Sequence, residues 1–129
     1  MTKLRLFRAT MLSAALLLST LTFGQSDLIV TAVFDATLSG GTPKGVEIYV
    51  INSVPDMSIY GIGSANNGGG TDGEEFTFPV VSAAAGDFIY VSSDSSQFNV
   101  FFGFDSDYVS SALAINGDDA IELFQGGLV

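Results

Sequence analysis

The sequence predicts an all-β fold, an immunoglobulin-like β-sandwich of six or seven short strands with one short helix. Short runs of β-branched and aromatic residues recur about every ten residues, with clusters of glycine, proline, asparagine and aspartate between them. The chain has 129 residues, of which 47% are hydrophobic. That length suits one small domain, and the apolar fraction is too high for a disordered chain.

The first half of the chain contains three strand signals. Residues 28–34 are a β-branched run of strand length, and a loop over 35–45 separates them from a second strand at 46–51. A third, shorter strand is predicted at 58–63. The tract 64–73 that follows is rich in glycine and asparagine, which predicts a mobile surface loop.

The second half contains the remaining strands. Residues 75–80 alternate apolar and polar side chains and end near a proline, as at the end of a strand. Residues 88–92 are a further strand, and 110–115 a short one. The last strand is predicted at 120–124 and is followed by the hairpin turn Gln125-Gly126-Gly127.

One segment, 95–102, has helical spacing. Its three phenylalanines are at positions i, i+3 and i+4: Phe98, Phe101 and Phe102. Asp94 or Ser95 can cap the helix. With Phe104 and Tyr108 these residues form a cluster of aromatics. The cluster could be a stacking surface for a glycan or a base, or it could close the open end of the sandwich as part of the core.

The first 24 residues predict a secretory signal peptide. Lys3, Arg5 and Arg8 precede a short apolar run over 9–23, and the predicted cleavage follows Gly24. An uncleaved N-terminal membrane anchor is the alternative, although the run is shorter than a span needs. The mature domain is then 25–129, exported and without membrane contact after cleavage.

Charge and residue types exclude several functions. Without the signal peptide, Lys44 is the one cation against 14 acidic residues, so the net charge is −13. Nucleic acid is therefore a poor partner for this domain alone, because phosphate binding needs cations. The chain has no cysteine and no histidine, which excludes disulfides, a Cys or His zinc site and a Ser-His-Asp triad.

Acidic pairs suggest a tentative calcium site and no other cofactor. Candidate oxygen ligands are Asp118 and Asp119 in the 116–119 turn, and Asp105 and Asp107. None of these pairs has EF-hand spacing. The alternative for 116–119 is a β-turn in which Asn116 and Gly117 supply positive φ and Asp118 bonds the backbone. Calcium bridging two loops remains open, since an ion would reduce repulsion among the acids.

Two glutamates lie within otherwise apolar strands. Glu47 and Glu122 could act as a glycosidase-like pair if they faced each other about 5 to 10 Å apart. The alternative is that both point outward from half-exposed strands, because each alternates with apolar neighbours. We expect the second arrangement and no enzymatic activity. Lys44 is interpreted as a loop residue that pairs with a nearby acid.

Three segments resemble lamin-tail domains of bacterial proteins. They are Lys44–Tyr49 (KGVEIY), Ala83–Val91 (AAAGDFIYV) and Asn116–Phe124 (NGDDAIELF). The resemblance covers most of the mature chain. It implies an immunoglobulin-like sandwich in a secreted or surface protein of a Gram-negative bacterium. Such domains are often joined to extracellular nucleases or phosphatases, and they usually continue past the final Gly-Gly turn with another strand.

Two functions follow as expectations. The first is a non-catalytic exported module for binding or adhesion, which presents loops such as 64–73 to a surface glycan or protein. The alternative is an N-terminal accessory domain of a secreted nuclease or phosphatase, with the catalytic part outside this chain. Only Leu128 and Val129 follow the 125–127 turn. The domain is therefore predicted to be incomplete at its C-terminal end, with an unpaired edge on strand 120–124.

Overall fold

A computed structural model describes residues 26–127. Within them the chain forms seven strands in two sheets and one α-helix, which confirms an all-β sandwich with a short helix. The predicted signal peptide (1–24) and the predicted start of a return strand (Leu128 and Val129) lie outside the described residues. No helix among residues 26–127 is long and apolar enough to cross a membrane.

The elements follow one another in a simple order along the chain. The strands are β1 Leu28–Leu38, β2 Thr42–Val50, β3 Tyr60–Ala65, β4 Phe76–Thr77, β5 Phe88–Ser92, β6 Tyr108–Val109 and β7 Ala120–Gln125, and the helix α1 is Ser95–Phe102. Three short 3-10 helices connect them: Met57–Ile59, Asn66–Gly68 and Ser111–Leu113.

The strands form a four-stranded and a three-stranded sheet. The first has the order β1-β2-β5-β6, in which only β5 and β6 are parallel, and the second has the order β4-β3-β7 and is antiparallel. In the second sheet the register of β3 and β7 is regular from Tyr60–Gln125 to Ala65–Ala120. The register of β1 on β2 shifts between Val30 and Ala32.

The core lies between the two sheets. Val46, Ile48 and Val50 alternate along β2 and are fully buried, so every second residue of this strand faces the other sheet. Tyr60 and Ile62 of β3 oppose them. Side chains of the other strands and connections complete the same cluster: Leu28, Val54, Met57, Phe78, Ile89, Val91 and Leu113. This is the packing expected for two sheets that each bury one face.

The predicted loop over 35–45 is wrong. β1 continues to Leu38 and β2 begins at Thr42, with a turn at 39–41 between them. Gly40 and Gly41 have φ of 85° and 67°, and the Gly41 amide donates to the Leu38 carbonyl at 2.9 Å. Positive φ at two successive glycines closes the turn tightly, so both strands extend further than their apolar residues indicate.

The predicted strand at 110–115 is also wrong. β6 comes earlier, at Tyr108–Val109, and a 3-10 helix occupies Ser111–Leu113. The Ser110 hydroxyl accepts a bond from the Ala112 amide at 3.3 Å, and this cap favours a helical turn over an extended chain. The buried Leu113 and Ile115 that suggested a strand reach the core from this turn and the segment after it.

The predicted loop 64–73 begins too early. Ser64 and Ala65 belong to β3 and are buried, while 66–72 is exposed and contains a 3-10 helix in which Asn67 has positive φ. The predicted helix 95–102 is confirmed as α1. The Asp94 carboxylate caps it by accepting from the Gln97 amide at 2.8 Å, and Gly103 ends it with a φ of 83°.

Candidate binding surface

The outer face of the four-stranded sheet carries a row of aromatic side chains that continues onto α1 and the segment after it. We call this row the aromatic band, and its members are Tyr49, Phe88, Tyr90, Phe104, Phe102 and Phe101. The strand members point outward because they alternate with core residues, such as Ile89 and Val91 on β5. Four of the six are phenylalanines between 37% and 51% exposed.

Ile29 extends the strand end of the aromatic band onto a third neighbouring strand. Ile29 lies opposite Tyr49 in the register of β1 and β2, and Tyr49 lies opposite Phe88 in the register of β2 and β5. The rings of Tyr49 and Phe88 are 5.0 Å apart. Ile29 and Phe88 are exposed. The three side chains therefore form an apolar strip across the sheet that no other described element covers.

The helix end of the aromatic band rests on one buried ring. Phe98 packs on Phe34 and Tyr90 of the outer sheet face, with ring centroids 5.7 Å from each, and it is fully buried. This contact fixes α1 against the sheet. Tyr90 then contacts Phe104 at 5.0 Å, which joins the strand end of the band to the helix end.

The structure divides the aromatic cluster between the core and the surface, and a stacking role for the surface part stays a prediction. Phe98 is a core residue, although it covers the outer face of a sheet and not the open end of the sandwich. Tyr108 faces inward and packs on Phe78 at 5.5 Å. The exposed part of the cluster consists of Phe101, Phe102 and Phe104. The ring centroids of Phe101 and Phe102 are 4.9 Å apart, and those of Phe102 and Phe104 are 6.1 Å apart.

Glu47 lies in the middle of the aromatic band and organises it. Its Oε1 accepts from the Thr31 hydroxyl at 2.7 Å and its Oε2 from the Tyr90 hydroxyl at 2.8 Å. Donation to this carboxylate, together with burial, raises the pKa of Tyr90. Both oxygens of Glu47 thus accept bonds from the protein, and the bond to Oε2 holds the Tyr90 ring in place.

Glu122 is not close to Glu47. It lies on β7 opposite Gly63, on the outer face of the three-stranded sheet, beside the buried Phe124. Its Oε2 is shielded from solvent and has no hydrogen-bond partner among the described residues. The core separates the two glutamates, so they do not face each other across a substrate site as a glycosidase pair must.

The turn at 116–119 differs in detail from its predicted form. It is a β-turn closed by the Asp119 amide, which donates to the Asn116 carbonyl at 3.1 Å, but neither Asn116 nor Gly117 has positive φ. Asp119, and not Asp118, bonds the backbone: it accepts from the amides of Asn67 at 2.8 Å and Asn116 at 2.7 Å. These two bonds, Asn67 first, lower the pKa of Asp119.

The other candidate calcium ligands also accept hydrogen bonds. Asp105 accepts from the Asn99 amide group at 2.8 Å, and Asp107 accepts from the Tyr90 backbone amide at 2.7 Å. Residues 26–127 contain no group of three or more acidic side chains placed to share an ion. The structure thus does not bring Asp105 and Asp107 together with Asp118 and Asp119. Calcium at these four residues remains a prediction.

Lys44 lies in β2 and not in a loop. Its ammonium group is 3.4 Å from the Asp35 carboxylate, so the predicted pairing with a nearby acid is confirmed. It also donates to the Ile115 carbonyl and, at 3.0 Å, to the Asn116 side chain. The cation of the described chain is thereby held at one end of the sandwich, and the aromatic band carries no positive charge.

Sequence reasoning found the helix end of the aromatic band but missed its strand end. Ile29, Tyr49 and Phe88 lie far apart in sequence, and only the strand register brings them into one strip. The available signal was alternation, because each residue adjoins a core residue within its strand. Comparisons with protein-family models, curated proteins and solved structures found no match. The resemblance to lamin-tail domains therefore remains a prediction.

Proposed function

We propose that this chain is a non-catalytic, exported binding module that holds its partner on the aromatic band. The observation that supports this is the row of exposed phenylalanines on an ordered sheet and helix. Contiguous apolar surface of this kind marks interaction sites on small domains. Export rests on the predicted signal peptide, and the lamin-tail resemblance agrees with a module of a secreted or surface protein.

A neutral glycan is the partner class that we favour. Sugar rings present apolar C–H faces that stack on aromatic side chains. Asp105 and Asp107 are exposed next to Phe104 and each has one oxygen left to accept a bond from a hydroxyl group. A polyanion would be repelled, because the only cation of the mature chain is Lys44, which is paired elsewhere.

The arrangement of the carboxylates supports a non-catalytic role. Glu47 uses both oxygens to hold Thr31 and Tyr90, and Glu122 lies on the opposite face of the sandwich. Glycoside hydrolysis of the usual kind needs two such groups on either side of one bond. We therefore assign Glu47 to positioning the aromatic band.

Affinity electrophoresis tests this function. The exported chain is run in native gels cast with neutral polysaccharides, and binding is measured as retardation. We expect Phe101→Ser to weaken binding about tenfold, since a stacked aromatic contributes up to about 1.4 kcal/mol. Val80→Ser is the matched control, because Val80 is 78% exposed but lies outside the aromatic band.

A second readout locates the site. The chain has no tryptophan and four tyrosines, of which Tyr49 and Tyr90 belong to the aromatic band. Tyrosine emission should therefore change when a polysaccharide binds, and the change should be reduced in Phe88→Ser. Retardation that is equal in Phe101→Ser and Val80→Ser would contradict a site on the band. Absence of retardation on all neutral polysaccharides would contradict the glycan assignment and leave a protein as the partner.

A further inference from the structure

Neighbouring rings of the aromatic band are inclined to one another. The ring planes of Tyr49 and Phe88 meet at 51°, and those of Tyr90 and Phe104 meet at 69°. At the helix end the two successive pairs of rings meet at 71° and 49°. A flat object can therefore lie against one ring of each pair, but not against both.

This inclination decides which form of a sugar polymer the band can hold. A crystalline polysaccharide presents a plane of parallel sugar rings, so aromatic side chains that bind it must share one plane. A single chain in solution turns about each bond between its sugars, and its successive rings can face aromatic rings of different inclination. Stacking along the whole band is therefore open to a single chain and not to a crystal face.

The band is long, and the described residues leave both of its ends exposed. Its contacting rings are 4.9 to 6.1 Å apart. Phe88 and Tyr90 are two residues apart on the same face of β5, which separates them by roughly 7 Å. Phe88 is 51% exposed at the strand end, and Phe101 is 49% exposed at the helix end. Several sugar units are needed to cover this row, and a longer chain can continue past both ends.

Two carboxylates beside the middle of the band favour the same form of ligand. Asp105 accepts from the Asn99 side chain and Asp107 from the Tyr90 amide, which leaves each with one oxygen for a further bond. An ionised carboxylate only accepts hydrogen bonds, and sugar hydroxyl groups can donate them. In a crystal these hydroxyl groups bond neighbouring chains, whereas those of a single chain are free to bond Asp105 and Asp107.

We infer that the aromatic band binds the interior of a single, soluble polysaccharide chain, with sugar units lying from Phe88 past Phe104 to Phe101. The inference rests on the proposed function and narrows its ligand. Crystalline polysaccharides and single sugars are poor ligands, because neither can contact the inclined rings of the whole band. Affinity grows with the number of stacked sugar units until the band is covered.

A length series tests this inference. The exported chain is run in native gels that contain hydroxyethyl cellulose, soluble starch or galactomannan, and oligosaccharides of the same polymer compete, from the monosaccharide to the hexasaccharide. We expect the hexasaccharide to compete at least tenfold more strongly than the disaccharide, and the monosaccharide not to compete. In sedimentation assays, microcrystalline cellulose, starch granules and crystalline mannan should leave the chain in the supernatant.

Variants at the two ends of the band show whether one ligand spans it. A hexasaccharide that reaches both ends should bind about tenfold more weakly in Phe88→Ser and also in Phe101→Ser. A disaccharide is too short to reach both ends, so at most one of these variants should weaken it. Val80→Ser, at an exposed position outside the band, is the matched control. Thermal melts check that each variant is folded.

The outcomes separate this inference from the proposed function. If Phe101→Ser weakens retardation but the disaccharide competes as strongly as the hexasaccharide, the inference fails and the proposed function stands. The same holds if a crystalline polymer binds the chain as well as its soluble form does. The inference also fails if only one of the two end variants weakens the hexasaccharide, since the ligand is then confined to that end. Absence of retardation on all three soluble polysaccharides overturns both the inference and the glycan assignment.

Discussion

At the scale of single residues, one hydrogen bond ties the two sheets together. The Tyr60 hydroxyl, at the start of β3, donates to the Asp27 carboxylate just before β1 at 2.8 Å. Asp27 also accepts from the Asn52 side chain at 3.1 Å. Burial and then the bond to Asp27 raise the pKa of Tyr60 to about 12. The hydroxyl therefore stays protonated, and keeps its bond, far above neutral pH.

We expect Tyr60→Phe to lower the free energy of unfolding by about 1.5 kcal/mol at pH 7, the low end for a bond to a charged group, because Asp27 is partly exposed and can regain water. Because the pKa of Tyr60 is raised in the folded state, the free energy of unfolding must fall as the pH rises past 10. The stabilisation is complete below the unfolded pKa of about 10 and is lost as pH rises through about 12. Urea denaturation from pH 7 upwards measures both effects.

Tyr49→Phe is the control for Tyr60→Phe, because the Tyr49 hydroxyl has no hydrogen-bond partner within residues 26–127. It should leave the free energy of unfolding at pH 7 nearly unchanged. Equal losses in the two variants would show that the bond to Asp27 does not stabilise the fold.

Residue roles could be predicted from sequence where the partners are local. Asp94 is one of the two predicted helix caps, with Ser95, because its partner, Gln97, is three residues away. Asp119 was missed in favour of Asp118, since its main partner is the distant Asn67 amide. Glu47 was interpreted only as outward-facing, because the Tyr90 that bonds it comes from another strand. Distant partners depend on register, which a single sequence does not provide.

At the scale of elements, β3 depends on glycine. Its outer face carries Gly61 and Gly63, and the segment 73–75 runs directly over them. A Cβ atom on Gly63 would collide with the Gly73 carbonyl and lie 2.9 Å from the Phe124 ring. Glycine thus permits the close approach that buries all six residues of β3, although glycine otherwise weakens a strand.

We expect Gly63→Ala to lower the free energy of unfolding by about 2 kcal/mol or more, because backbone atoms of 73 and the Phe124 ring must move to admit the methyl group. Gly117→Ala is the matched control. Gly117 has no positive φ and open space around it, so the change should stay within about 0.5 kcal/mol. Urea denaturation compares them. A Gly63→Ala variant as stable as the control would mean that segment 73–75 does not pack on β3.

Element prediction succeeded where local pattern and tertiary packing agree. β5 and α1 have the predicted bounds, since alternation and helical spacing in those segments match the faces that they bury. It failed at 35–45 because polar residues can continue an exposed strand when a tight glycine turn follows. It failed at 110–115 because a serine cap favoured a helical turn over an apolar strand pattern.

At the scale of the whole molecule, the two outer faces of the sandwich differ. The four-stranded sheet presents the aromatic band and α1, while segment 73–75 and the buried Phe124 cover part of the three-stranded sheet. The sequence predicted the sandwich and the helix end of the band, because both follow from local patterns. It could not predict the strand end of the band, since this depends on which strands are neighbours.

The acidic surface should make stability depend on salt. Within residues 26–127 only Lys44 opposes 14 acidic residues, and it is paired with Asp35. Repulsion among the remaining carboxylates favours the expanded, unfolded chain. We expect Tm to rise with NaCl between ~0.01 M and ~0.15 M, as the Debye length falls from about 30 Å to about 8 Å. Differential scanning calorimetry measures it, and a Tm independent of NaCl would show that this repulsion is negligible.

Tm measured by differential scanning calorimetry also separates charge screening from calcium binding. CaCl2 and MgCl2 at equal concentration screen charge alike, but only a site with calcium geometry discriminates between them. If Asp118 and Asp119 or Asp105 and Asp107 bind calcium, Tm rises more in CaCl2 than in MgCl2, and Asp118→Asn or Asp105→Asn removes the difference. Asp119 already accepts two backbone bonds, so an ion there must displace them or share its oxygens. Equal shifts in the two salts would contradict a calcium site at these carboxylates.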